Sequence, residues 1–208
     1  MALAGALERL GQVLFPLRCP CCQSPVGPQG CQKCVWERSV QPTPLGQLKV
    51  YSVGPYRGFL RSSVVQLKKR QRVAWARHLG QLLGEALERE LTAEQLSGRV
   101  VTAVPSAPSR KRYRGFNPAG LVADGVAARL GLPCADLLEC LGDPAPVKNL
   151  DRAQRLAGEA RFRARAAVPP RVLLVDDVMT TGGTLLQARQ ALGECDLLLA
   201  VVAVAVTR

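Results

Sequence analysis

The sequence predicts an α/β fold built on a mostly parallel sheet, and three observations carry that prediction. Near-continuous apolar runs occur at Arg99-Val-Val-Thr-Ala-Val104, at residues 172–175 and at residues 197–206. Helical patterns at about 74–90, 119–130 and 184–192 fall between or before them. Each apolar run is too uniform for a half-exposed strand, so both faces of the sheet must be covered by helices.

The bulk numbers agree with one domain and a small appendage. The chain has 208 residues, 48% of them hydrophobic and 21% charged, which excludes a disordered polymer. Aromatic residues make up 4%, so the core must be built mainly from Leu, Val and Ala. A net charge of +12 predicts an anionic partner such as phosphate, pyrophosphate or nucleic acid. No apolar run reaches the roughly 18 residues needed to span a bilayer. The N-terminal stretch lacks a basic leader, and Leu3, Leu7, Leu10 and Leu14 fall at helical spacing, which predicts a short amphipathic helix. A cytoplasmic location is expected, where the eight cysteines serve as thiols or metal ligands rather than disulfides.

Residues 1–45 hold that helix, a cysteine cluster and a link, Gln41-Pro-Thr-Pro44; the main domain is expected over 46–208. Its extension, 46–98, opens with a strand or hairpin at Leu48-Lys-Val-Tyr-Ser-Val-Gly54 and continues through Phe59 to Leu67 into the 74–90 helix. From 99 onward a ligand-binding core is expected. The strand at 99–104 stops at Pro105, a basic loop runs to Asn117, and the next helix ends at Gly131. Residues 135–140 suit a short strand or a helical turn. The polar section 142–165, at 24 residues, is too long for an idle loop in a compact domain.

The cysteines read Cys19-Pro-Cys-Cys22, then eight residues, then Cys31-Gln-Lys-Cys34. Two such knuckles offer four thiolates, the donor set of structural zinc, with Gly27, Pro28 and Gly30 making the turn. Cys19, Cys22, Cys31 and Cys34 are the expected ligands; Cys21 falls outside the knuckle spacing. Four protein ligands leave no open position for chemistry, so the metal's role is folding. Cys134, Cys140 and Cys195 are isolated and expected to pack.

The apolar run at 172–175 leads into Asp176-Asp-Val-Met-Thr-Thr-Gly-Gly-Thr184. Ligands of open α/β sheets bind beyond the C-terminal strand ends. Small residues before a helix expose backbone N–H groups to an anion, and threonine hydroxyls add donors. Two acids repel phosphate, but they accept hydrogen bonds from a sugar diol or partner a magnesium ion. A ribose 5-phosphate satisfies both halves of the motif.

This stretch resembles the binding motif for 5-phosphoribosyl 1-pyrophosphate (PRPP) of type I phosphoribosyltransferases. The resemblance implies ribose on Asp176 and Asp177 and the 5′-phosphate on the loop from Thr180 through Thr181, Gly182 and Gly183 to Thr184, with Val178 and Met179 between. The cysteine knuckles, Tyr56-Arg-Gly58, Lys68, Val104-Pro105, Arg114-Gly-Phe-Asn117 and the Asp-Asp loop occur in the order found in ComF family proteins. These are competence-associated, amidophosphoribosyltransferase-like proteins with an N-terminal zinc module. The chain departs from that pattern at Pro118, Val147 and Gly158, where relatives usually carry Gln, Gln and Asn. The last two positions, beside Leu150 and Arg155, fall in the section that corresponds to the hood over the transferase site.

Three basic segments complete the picture. Pro105, Ser106, Arg110, Lys111, Arg112 and Arg114 follow the first core strand, where the resemblance places pyrophosphate. Gly115 is expected to make a turn and Asn117 to cap the helix that Pro118 starts. Arg57, Arg61, Lys68, Lys69, Arg70, Arg72 and Arg77, interleaved with Tyr56, Phe59 and Trp75, suit single-stranded nucleic acid, unless Phe59 and Trp75 belong to the core. Lys148, Arg152, Arg155, Arg161, Arg163 and Arg165 lie in or beside the hood. His78 is the lone histidine, expected to pack or sit at the surface. Together these features point to a ComF-like protein that binds PRPP with Mg²⁺ and assists single-stranded DNA handling in natural transformation, with DNA-uptake proteins as partners. The alternative is an active phosphoribosyltransferase acting on an unidentified base or amine; no general base or base-recognition pocket is legible.

Overall fold

The computed structural model describes residues 17–34, 36–38, 41–143 and 161–205. The expected N-terminal helix and positions Val147, Lys148, Leu150, Arg152, Arg155 and Gly158 lie outside the described residues.

The strands and helices follow one another as β1 (Thr43–Leu45), β2 (Leu48–Pro55), α1 (Gly58–Arg70), α2 (Ala74–Glu90) and α3 (Ala93–Leu96). Then come β3 (Val100–Ala103), α4 (Pro108–Arg114), α5 (Pro118–Leu130), β4 (Leu138–Cys140), β5 (Phe162–Ala164), β6 (Arg171–Met179), α6 (Gly183–Leu192) and β7 (Asp196–Val204). Five strands form one sheet in the order β1-β2-β7-β6-β3. All neighbours are parallel except the β1–β2 hairpin. β4 and β5 make a separate antiparallel pair. The expected α/β class holds: a mostly parallel sheet, helices on both faces, and a four-cysteine module near the N-terminus.

Strand periodicity divides the core. Leu173 and Val175 of β6, with Ala200 and Val202 of β7, pack among α1, α2 and α5. Val172 and Leu174, with Leu199 and Val201, pack on the opposite face among Leu185, Ala188 and Leu192 of α6 and Leu138 and Phe162 of the small hairpin. Residues one apart on a strand point to opposite faces, which is why these runs had to be apolar throughout. α2 and α5 approach through glycine: a Cβ on Gly80 would lie 2.5 Å from the Val122 carbonyl and 2.7 Å from the Gly125 Cα.

Several expectations change. The segment from Phe59 to Leu67 is helix α1, and β1, placed before the boundary at residue 45, forms the antiparallel edge of the main sheet. The basic stretch after β3 is not simply a loop, because α4 forms there with Pro108 in its first turn. Phe59 and Trp75 are buried and stack with Trp36 and His78, so they are core rather than a platform for bases. Asn117 does stand at the N-cap of α5, but its side chain does not cap. It donates instead to the Val104 carbonyl at 3.0 Å and accepts from the Ser106 hydroxyl at 2.8 Å. Cys134 is exposed rather than packed.

At the N-terminal end of the sheet, Arg99 is buried and donates to the backbone carbonyls of Gln95, Val172 and Asp196 and to the Asp196 carboxylate. Its guanidinium, with that of Arg171, holds the Asp196 carboxyl below its usual range. This knot fixes the sheet at the end opposite the candidate site.

Candidate functional site

The site grows from the end of β6. Pairing with β3 stops at Ala103 and Val175, whereas pairing with β7 continues through Asp176 and Val201 to Met179 and Val204. Asp176 and Asp177 therefore sit inside a strand that is one-sided at their level. The Asp177 amide donates to the Asp176 carboxylate at 2.7 Å. Burial first, and then the neighbouring Asp177 charge, push the Asp176 carboxyl up to about 8, while Lys68 and Arg161 pull the other way.

Asp177 is 7% exposed. It is paired: the Lys68 ammonium, carried on the last turn of α1, donates to it at 2.6 Å. Lys68 stands four residues after buried Val64 and next to buried Leu67, so the helix aims it inward. The structure thus draws Lys68 out of the basic cluster expected for nucleic acid and brings it to the acids. Its spacing from Val64, and its place in the ComF-like order beside the Asp-Asp loop, were the sequence signals available for this placement.

Beyond Met179, Thr180 and Thr181 are exposed and Gly182 adopts a left-handed conformation, φ 79°, as the N-cap of α6. The positive φ favours glycine, and a Cβ there would meet the Leu45 side chain of β1 unless that chain turned aside. The helix begins at Gly183, one residue before the expected Thr184, and the backbone N–H groups of its first turn face the loop.

Two clefts open near this end of the sheet, one beside β3 and one at the end of β6. One of about 570 Å³ is lined by Pro105, Ser106 and Lys111 after β3, by Asp124 on α5 and by Cys134, Asp136 and Arg165. The other, about 740 Å³, is lined by Thr180, Thr181, Met179, Leu45, Ser52 and Arg38. Asp176 and Asp177 line neither cleft. Of the cations expected to face pyrophosphate, Lys111 lines the first cleft; Arg110, Arg112 and Arg114 do not. Cys134 is exposed as a residue, but partial desolvation of its sulfur, and then the Asp124 charge beside it, push the thiol up to about 12.

The four cysteines of the knuckles come together. Their sulfurs all lie within 4.8 Å of one another, with Cys19–Cys34 at 3.7 Å and Cys22–Cys31 at 3.5 Å. A zinc–sulfur bond of about 2.3 Å gives tetrahedral sulfur edges of about 3.8 Å, so the cluster could hold zinc. Cys21 stays outside and donates to the Ser62 hydroxyl of α1 at 3.4 Å. The module is fused to the domain core: Cys19 and Cys31 are buried, the Trp36 indole donates to the Cys31 carbonyl, and its ring stacks 5.2 Å from Phe59.

The remaining residues of the α1 cluster divide. Arg57 pairs with Glu37, while Arg61, Lys69, Arg70 and Arg72 remain peripheral to the acids.

Set beside known proteins, 120 residues of the chain are 30% identical to the protein described as "Competence protein ComFC" from Streptococcus pneumoniae (strain ATCC BAA-255 / R6). The chain resembles a ComF protein. The match covers 53% of the chain and 52% of the relative, so it spans about half the length of the curated protein it matches. No family model matches the ComF-like sequence. Among solved structures, one described as "structure of the allosteric regulatory enzyme of purine biosynthesis" aligns with 61% of the chain and 25% of its own, at 24% identity and a TM-score of 0.40. Among the described residues no helix is long and apolar enough to cross a membrane.

Proposed function

We propose that the protein binds PRPP, or a related phosphoribosyl ligand, at the C-terminal end of β6. The observation that carries this reading is the continuous run from the acid pair through left-handed Gly182 into the N-terminus of α6. Asp176 and Asp177 accept from the ribose hydroxyls. Thr180, Thr181, Gly182, Gly183 and Thr184 surround the 5′-phosphate, supplying hydroxyls, backbone N–H groups and the helix dipole. Val178 and Met179 set the spacing between the two halves. The pyrophosphate lies toward Pro105, Ser106 and Lys111, and a bound Mg²⁺ would neutralise part of its charge. Structural zinc on Cys19, Cys22, Cys31 and Cys34 contributes folding energy to a segment with little core of its own.

The likeness to a competence protein supports a role in handling single-stranded DNA during natural transformation, in the cytoplasm and alongside DNA-uptake proteins. A second reading, transfer of phosphoribose to a base or amine, is favoured by the polar cleft beside Ser106 and Lys111, which has room for an acceptor. In that reading the chain's residues position both substrates and stabilise the leaving charge, without a protein nucleophile.

Calorimetric titration of PRPP with and without Mg²⁺, repeated on the Asp176→Ala/Asp177→Ala protein, tests the site. Saturable binding in the native protein and its loss in the variant support it; equal binding in both removes the ribose assignment. Pyrophosphate release in a screen of bases and amines would establish the second reading.

A further inference from the structure

The geometry points to α4 as the face on which a single strand of nucleic acid lies, with Tyr113 as its stacking platform. This deepens the nucleic-acid role proposed above and rests on it. α4 buries none of its side chains, so core packing does not explain its sequence, Pro-Ser-Arg-Lys-Arg-Tyr-Arg. Tyr113 is 81% exposed, an aromatic ring with no neighbour to stack on among the described residues. Arg110, three residues earlier, shares its side of the helix, and Arg112 and half-buried Arg114 flank it, while exposed Lys111 points away toward the cleft. Among the described residues none of these four cations makes an ion pair; Asp143, bound to Ser109 at 2.5 Å, is the acid their field reaches.

Pyrophosphate alone does not account for this surface. Lys111 lines the cleft beside β3, whereas Arg110, Arg112 and Tyr113 lie outside its walls. A polyanion with bases to stack uses all of them, because cations track the phosphates while an exposed ring accepts any base. The rival surface on α1 lacks the second ingredient, since Phe59 and Trp75 are buried, Tyr56 is half-buried against the core and Lys68 is committed to Asp177.

Fluorescence anisotropy of a labelled 20-nucleotide oligothymidylate across a salt series tests the assignment. Tyr113→Ala should weaken binding about tenfold, the scale of one lost stacking contact. Arg110→Ala/Arg112→Ala should reduce the log–log salt slope by about 1.4, as two lost phosphate contacts require. Arg61→Ala/Arg70→Ala, on α1, should leave affinity within about twofold, and PRPP titration should be unchanged by Tyr113→Ala. Native affinity in Tyr113→Ala, or a larger loss in the α1 variant, overturns the assignment to α4 while leaving nucleic-acid binding intact. A native protein that binds no oligothymidylate overturns the nucleic-acid role itself.

Discussion

The Lys68 ammonium donates to the Asp177 carboxylate at 2.6 Å, joining residues 109 positions apart in the chain. One acid of the proposed ribose site is therefore neutralised before any ligand arrives, and the cation responsible belongs to the helix that also supports the cysteine module.

Lys68→Met should lower stability by about 2 kcal/mol, because it strands a carboxylate in a largely buried position. Lys68→Arg should recover part of that loss. Denaturant midpoints of the three proteins decide it, and a native midpoint for Lys68→Met would show that the pair contributes nothing.

Asp176 gives stability an unusual pH slope. Its folded carboxyl is raised from 3.8 to about 8. Between those values the folded chain holds a proton that the unfolded chain has lost, so stability falls as pH rises through the window. Asp176→Asn should remove that fall, which unfolding midpoints at pH 5 and pH 8.5 would reveal. A variant that loses stability as steeply as the native protein would place the slope elsewhere.

His78 acts with the opposite sign. Burial pushes its imidazole down from 6.5 to about 4. As pH drops below about 6.5 the unfolded chain gains a proton that the folded chain refuses, so stability declines toward pH 4. Because the chain has 1 histidine, a proton NMR titration reads it directly, with a midpoint near pH 4 expected. A midpoint near 6.5 contradicts the burial.

Metal analysis should find one zinc per chain, retained in Cys21→Ser and lost in Cys34→Ser. Chelation should shift tryptophan emission to longer wavelength, because Trp36 packs on Phe59 and bonds to the Cys31 carbonyl. Full zinc retention in Cys34→Ser would remove that residue from the ligand set.

Gly80→Ala should cost about 1–3 kcal/mol, since its methyl would meet backbone of α5 that cannot move aside. Gly120→Ala, whose methyl would meet only the Asn117 side chain at 3.4 Å, should be neutral or stabilising by up to about 1 kcal/mol. Thermal melts of both variants would show whether helix spacing or helix propensity governs this face.

What could be read in advance follows the range of the interactions involved. The β6 run, the glycines before α6 and the cysteine spacing are local patterns; the cysteines converge as expected, whereas the strand runs on through both acids to Met179 and the helix starts one residue early, at Gly183. Lys68 looked like one more cation in a basic cluster, because its partner lies across the fold. Asn117 satisfied the composition of a cap, yet the Val104 carbonyl and the Ser106 hydroxyl competed for its amide and won. Phe59 and Trp75 alternate with cations just as a nucleic-acid platform would, and tertiary burial reversed that reading.

The leucine at the end of the first strand fills the space where a side chain on Gly182 would project. That contact gives the proposed phosphate loop a floor, so its left-handed turn is held by the hairpin. A preformed loop loses little conformational entropy on binding. Loosening Leu45 would therefore lower affinity for the proposed ligand from outside the residues assigned to hold it.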